Sequence, residues 1–126
     1  MAAIILDSGA LIAIERGDRR MGALLHEAAH QGIDAITSCA CVAETWRDPA
    51  RQARLARALS GIVERSIDPA AARKCGVLLA VSHTSDIADA AVALLAGSGD
   101  VVITSDAADI ERLVEAAGSG AQVRRV

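Results

Sequence analysis

The sequence predicts a single α/β domain in which a mainly parallel central sheet is flanked by helices. Three observations point to it. Short apolar runs alternate with longer helical patterns, the sequence form of strands joined by helical crossovers. The 126 residues are one domain's worth of chain, and no repeat, low-complexity linker or internal boundary divides them, so 1–126 is read as one unit. Apolar residues make up 52% of the chain and aromatics 1%, so the core must be aliphatic, built from Leu, Ile, Val and Ala with close approach between elements.

Residues 3–6 are an apolar run that reads as a buried first strand, and 8–16 read as a helix ending at Gly17-Asp18. Residues 19–31 form a second helix, stopped by Gly32 as a left-handed C-terminal glycine. A short strand covers 33–37. The helix over 39–47 must end or kink at Asp48-Pro49, since the residue before proline avoids the α region. A new helix then covers 50–60, with Pro49 near its first turn. Residues 62–67 are strand-like, Pro69 opens a helix to about 81, and 85–96 form a further helix. A strand over 100–104, a helix over 107–117 and a candidate edge strand over 122–126 complete the order.

The composition excludes several function classes. High apolar content rules out intrinsic disorder. A formal net charge of -3 is the wrong sign for a protein that coats nucleic acid through phosphate neutralisation alone. With no Phe, no Tyr and the single Trp46, there is no aromatic platform for stacking bases. Cys39, Cys41 and Cys75 are an odd set without CxxC spacing, which fits neither a disulfide framework nor a tetrahedral zinc site and suggests a reducing compartment. Residues 1–14 lack a basic leader and are interrupted by Asp7, a poor signal peptide. No run approaches the ~18 apolar residues of a membrane span. A soluble, cytoplasmic protein with no membrane partner is expected.

The carboxylates carry the chemistry. Ile4-Ile5-Leu6 runs straight into Asp7 and then a helix; Val101-Val102-Ile103-Thr104 runs into Ser105-Asp106 and then a helix. In an open α/β sheet, ligands bind in the crevice outside the carboxyl ends of the strands, so both aspartates belong on one rim. Asp86 and Asp89 share one face at the start of a helix. Glu44 sits among small apolar residues, and Asp109 follows Asp106 by three. Clustered carboxylates repel one another unless a cation lies between them. Hard divalent cations with oxygen ligands, Mg²⁺ or Mn²⁺, suit such a ring and support in-line attack on a phosphodiester. Taken singly, Asp7, Asp86 and Asp106 are equally good helix N-caps; capping does not account for Glu44 or for two acids within one turn.

With these residues in view, the chain resembles the PIN-domain nucleases, and within them the VapC-type toxins of bacterial toxin–antitoxin pairs. The resemblance spans nearly the whole chain and rests on four segments in order: 4–12, 42–47, 86–96 and 102–110. It implies a parallel sheet flanked by helices, an acidic Mg²⁺ site, endoribonuclease activity and a small antitoxin partner that blocks the site. By position, Asp7 matches the first acid of the family, Glu44 the second, and Asp106 the acid of the strand-end Thr-Ser-Asp motif. Asp89 fits the third acid better than Asp86, which stays as an alternate or supporting ligand, and Asp109 resembles the accessory acid. Ser8 resembles the hydroxyl that orients the first Asp, and Thr104 is assigned the same service for Asp106.

Other features were weighed beside this set. His26-Glu27-Ala28-Ala29-His30 is a literal HExxH, and on a helix two histidines four apart can grip zinc while the Glu activates water. A third ligand is missing from the neighbourhood, so a zinc metallopeptidase stands as an alternative, beside a non-catalytic protein that keeps the fold for binding. Arg47, Arg51 and Arg54 fall towards one side if the kink at Pro49 is mild, which makes them candidate contacts to an RNA backbone. Cys39 and Cys41 read as buried small hydrophobes, and Trp46 as a core or interface anchor. Leu11, Ile12, Leu24, Leu25, Leu55 and Leu59 form apolar helix faces whose excess over one small core would serve a homodimer or the antitoxin. The reading is therefore a Mg²⁺- or Mn²⁺-dependent endoribonuclease with Asp7, Glu44, Asp89 and Asp106 at its centre, Asp86 and Asp109 assisting, and a homodimer expected.

Overall fold

Each apolar run of the sequence stops at a polar residue that starts the next helix, and the architecture follows from that punctuation. The computed structural model describes residues 2–126, and in that span the order is β1 (Ile4–Leu6), α1 (Ser8–Glu15), α2 (Arg19–His30), β2 (Ala35–Ser38), α3 (Cys39–Thr45) and α4 (Ala53–Leu59). It continues with β3 (Val63–Arg65), α5 (Pro69–Ser82), α6 (Ile87–Leu95), β4 (Val101–Thr104), α7 (Ala107–Ala117) and β5 (Gln122–Arg125). Asp18, Ser38, Asp68 and Asp86 cap α2, α3, α5 and α6 through their side-chain oxygens, the service these residue types give to unpaired helix N–H groups. Pro69 opens α5, where its missing N–H is not needed. Gly118 closes α7 at φ 64°, a left-handed conformation that glycine adopts without strain.

The five strands pair entirely in parallel, in the order β3-β2-β1-β4-β5. Ile5 lies beside Ile36 on one side and Val102 on the other. β1 and the inner part of β4 are buried throughout, as expected of strands covered on both faces. The edges are different: β3 (Val-Glu-Arg) is exposed along its length and β5 carries Arg124 and Arg125, charges that discourage further strand pairing. From β1 the chain works outward to β2 and β3, then returns to place β4 and β5 on the opposite side of β1. The strand order therefore reverses between β1 and β4, and a crevice opens at their carboxyl ends.

The core is aliphatic, as the composition requires. Ile5, Leu6, Leu11, Met21, Leu55, Val92, Val102, Ile103, Ile110 and Leu113 are fully enclosed. Leu24, Leu25, Leu59 and Trp46 are half-buried against that core, so the early helices spend most of their apolar faces internally. Large apolar side chains left in water lie elsewhere, most openly at Val77, Val81 and Ile87 on α5 and α6, and less so at Val63 on β3 and at Val126. Cys41 and Cys75 are buried, but Cys39 is exposed. This corrects the expectation for Cys39: as first residue of α3 it projects from the helix start while Cys41 turns inward. Among the described residues no single helix is long and apolar enough to cross a membrane.

The largest departure from the sequence reading lies between α3 and α4. The chain leaves the helix after Thr45, Pro49 to Arg51 form a turn, and α4 begins only at Ala53. The break expected at Asp48-Pro49 is wider than that dipeptide alone requires, and Gln52, a buried side chain, holds the loop. Its Oε1 accepts from the backbone N–H of Arg47 at 2.8 Å and of Asp48 at 3.0 Å. Its Nε2 donates to the Thr45 carbonyl at 2.8 Å and to Glu15 Oε1 at 2.7 Å. The amide thus replaces the backbone partners that a continuing helix would have supplied, and it anchors the break to α1. Gln52→Ala removes all four bonds from an enclosed position and is expected to destabilise the fold by about 2 kcal/mol, read as a lowered urea midpoint with an unchanged slope.

Candidate metal centre

Asp7 is the first residue after β1 and performs two tasks with two oxygens. Oδ1 accepts from the Ala10 N–H at 2.8 Å, capping α1. Oδ2 accepts from the hydroxyl of Thr104, the last residue of β4. That hydroxyl also accepts from the Asp106 backbone N–H at 2.8 Å. One buried threonine thus ties the ends of the two central strands together. Asp7 is only 3% exposed, so its carboxylate cannot wander. The start of α1 also packs tightly on the residue after β4: a Cβ added at Gly9 would overlap the Ser105 side chain, lying 2.5 Å from its Cβ.

Asp106 occupies the N-cap position of α7 yet makes no side-chain cap bond, which leaves its carboxylate exposed and uncommitted. Asp109 lies in the first turn of α7, and Asp89 in the first turn of α6. Carboxylate oxygens of Asp89, Asp106 and Asp109 all lie within 4.8 Å of one another. Asp86 is committed elsewhere: its Oδ1 accepts from the Asp89 N–H at 2.9 Å and caps α6. Glu44, on α3, is exposed, and its Oε1 accepts from Ser8 Oγ at 2.5 Å. The nearest positive charge is Arg112, whose Nη1 is 3.8 Å from Asp109 Oδ1, a solvent-exposed pair of small effect.

The electrostatics follow from this crowding. Burial, then the negative charges of Asp86, Asp7, Asp106 and Asp109, push the Asp89 carboxyl up to about 7. Burial also raises Asp7, against the hydrogen bonds from Thr104, Ala10, Ser105 and Gly9 that favour its charged form. Cys41 rises to about 11, chiefly by burial and further by Asp7 and Glu44, while contacts with Ser8 and Thr37 oppose the shift. The thiol therefore stays neutral at physiological pH and forms an uncharged wall beside the acids. Cys41 and Gly9 are components that sequence reasoning missed. The signal for Cys41 was its i, i+3 relation to Glu44 on one helix face; nothing local marks Gly9, whose neighbour lies on a distant loop.

Several sequence assignments change. Ser8 holds Glu44 and not Asp7, because the first turn of α1 faces α3. Thr104 holds the carboxylate of Asp7 and meets Asp106 only at its backbone N–H, because β4 lies directly beside β1. Arg47, Arg51 and Arg54 form no track. Arg47 folds back on the carbonyls of Ala43 at 2.8 Å and Trp46 at 2.7 Å. Arg51 pairs with Asp48 at 3.6 Å, and Arg54 reaches the Glu15 carbonyl at 3.5 Å. Their three- and four-residue spacing lost its meaning when the helix broke at the Gln52 loop. His26 and His30 are exposed on α2, and Glu27 is bonded by Gln31 Nε2 at 2.6 Å. Among the described residues, the group Asp89, Asp106 and Asp109 is the one cluster of ligand-type side chains tight enough to hold a metal, so the HExxH segment lacks the third ligand that zinc chemistry needs.

The sequence matches no known protein family, and no curated protein resembles it at the sequence level. In structure, the chain is similar to one in the crystal structure of VapBC2 from Rickettsia felis bound to a DNA fragment from their promoter, with a TM-score of 0.70 at 14% identity and 98% of each chain covered. At that identity the likeness is one of fold. It is the PIN-like arrangement of a parallel sheet flanked by helices, over essentially the whole chain.

The raised acids set a pH dependence. Between the ordinary aspartate range and about 7, the folded protein holds a proton on Asp89 that the unfolded chain has released. Stability of the cation-free protein therefore falls as pH rises through that window. In chelator, thermal denaturation should show a higher midpoint near pH 5.5 than near pH 8. Asp89→Asn should flatten the profile. A profile of wild-type shape in that variant would place the titration elsewhere.

Proposed function

We propose that this chain is a metal-dependent endoribonuclease and the toxin of a toxin–antitoxin pair. The observation that carries the reading is the convergence of Asp89, Asp106 and Asp109 within 4.8 Å, behind which the buried Asp7 is fixed at the β1/β4 switch point. A divalent cation fits these residues by charge and by donor type. The ligands are all hard oxygens, and Asp89 is driven towards neutrality first by burial and then by the uncompensated charges of its acidic neighbours, a repulsion that a cation would relieve. Asp89, Asp106 and Asp109 would hold Mg²⁺ or Mn²⁺, with Asp7 behind them.

Bound there, the cation supplies Lewis acidity, lowering the pKa of a water and offsetting charge on a phosphodiester. The chain's own residues do the rest. Thr104 keeps the Asp7 carboxylate in one orientation while Ala10 holds its other oxygen. Ser8 engages Oε1 of Glu44, which leaves Oε2 at the exposed rim to accept a proton from an attacking water. Cys41 and Thr37 close the floor without adding charge.

RNA as substrate and an antitoxin as partner follow the PIN resemblance. The structural neighbour, VapBC2, is a two-component assembly seen on promoter DNA, which supports a cognate antitoxin here. Val77, Val81 and Ile87 leave apolar surface outside the core, the material that a homodimer or antitoxin contact uses. A reducing cytoplasm agrees with three free cysteines.

The purified, antitoxin-free chain should cleave total or transfer RNA with Mg²⁺ or Mn²⁺ and not in chelator. Asp7→Asn, a nearly isosteric change, should lower the rate by about 100-fold or more. A folded Asp7→Asn protein that cuts at the wild-type rate would rule out the site. Binding of an antitoxin with no cleavage under any cation would favour the non-catalytic alternative.

A further inference from the structure

The ends of the five strands form a row along the rim that carries the acids. In spatial order they present Arg65 on β3, Ser38 on β2, Asp7 after β1, Thr104-Asp106 after β4, and Arg125 on β5. Ser38 is in register with Arg65, and Thr104 with Arg125. Parallel strands lie ~4.8 Å apart, so the two arginines stand at opposite ends of a line about 19 Å long, with the acids between them.

The β3 end is more than a lone surface charge. Arg65 and Lys74 line a cavity of about 300 Å³ whose walls include Ser38 and Ala91. Ser38 follows Thr37, the register partner of Leu6, and so stands beside Asp7, which brings the cavity to the row of strand ends. Neither cation makes an ion pair or a hydrogen bond among the described residues; the ion pairs there are Arg51–Asp48 and Arg112–Asp109. Asp68 also lines the cavity, but its Oδ1 accepts from the Ala71 N–H at 2.7 Å as the cap of α5. At the β5 end, Arg125 Nη1 donates to the Ser105 carbonyl at 3.3 Å. This holds its guanidinium over the loop next to Asp106 with most of its five donors unused.

We propose that an RNA strand crosses this rim at right angles to the sheet strands, its flanking phosphates held by Arg65 and Lys74 on one side of the acids and by Arg125 on the other. This rests on the nuclease reading and adds the path of its substrate. The contacts are to backbone phosphate, which positions a strand without reading its sequence, and they need no aromatic platform. Fixing the strand on both sides places one phosphodiester over Asp89 and Asp106, a placement that converts binding into reaction geometry.

Fluorescence anisotropy with a short labelled RNA, on the Asp7→Asn background so that no cleavage intervenes, tests the path. Arg65→Ala/Lys74→Ala should raise Kd about tenfold and reduce the slope of log K against log salt by about 1.4, some 0.7 for each lost phosphate contact. Arg125→Ala should reduce the slope by about 0.7. Arg51→Ala, an exposed arginine paired to Asp48, should leave both within error. In the cleavage assay the rim variants should raise KM and change kcat little. Rim variants that behave like Arg51→Ala would overturn the path, while Asp7-dependent cleavage in the parent would leave the nuclease reading standing. Rim-dependent RNA binding by a parent that cleaves nothing would support the path and count against the nuclease.

Discussion

The hydroxyl of Thr104 is the smallest group on which the rest of the site depends. It donates to Asp7 and accepts from the Asp106 N–H, so it fixes the exits of two strands that meet only in the folded sheet. Burial alone would make Asp7 an uncomfortable anion; the hydroxyl and the Ala10 N–H give each carboxylate oxygen a partner. Of the five aspartates at helix N-caps, three belong to this acidic region, and they divide the work. Asp86 only caps, Asp7 caps and faces the site, and Asp106 gives up its cap bond altogether. The uncommitted carboxylate is the one at the exposed mouth.

The fold supplies this geometry by topology. Strand order reverses at β1 and β4, so the loops after them diverge to opposite sides and leave a crevice. α6 and α7 then direct Asp89 and the Asp106–Asp109 turn towards one point. Packing this many negative charges together works against folding. The compensation is general: an enclosed aliphatic core around the inner strands and a set of capped helices hold the backbone whatever the acids prefer.

Much of this was legible in the sequence because the signals are local. A strand that ends in an aspartate and is followed by a helix can be seen at both ends of the chain, and the alternation of apolar runs with helical patterns led to the five strands. The placement of Asp7 and Asp106 on one rim was legible for the same reason. What could not be read depends on contacts between distant segments. Ser8 and Thr104 were assigned to the wrong carboxylates because their partners are decided by which strand or helix lies alongside, a matter of 36 and 97 residues of separation. Gln52 looks like an ordinary surface glutamine until α1 is packed against it. Once the helix breaks at that loop, a spacing argument across residues 47–54 has no helix on which to act. The HExxH segment failed differently: a short motif matched, but its helix faces water with no third ligand.

The net charge of -3 looked at first like an argument against a polyanionic substrate. The structure shows why a sum is a poor guide. The acids that would repel a phosphate are gathered at the middle of one rim, where a divalent cation would reverse the local sign. Arg65 on β3, Lys74 on α5 beside it and Arg125 on β5 stand outside that cluster. Edge strands carry charge in any case to prevent further pairing, so Arg65 and Arg125, which keep β3 and β5 from recruiting another strand, would on the proposed path also meet a phosphate backbone. On the proposed reading, a repulsive centre with attractive ends would make binding conditional: without the cation a strand would be held only at its flanks, and with it the middle segment would be drawn down onto the acids. Substrate engagement and metal loading would then be one electrostatic event, joined by the order of strands in the sheet.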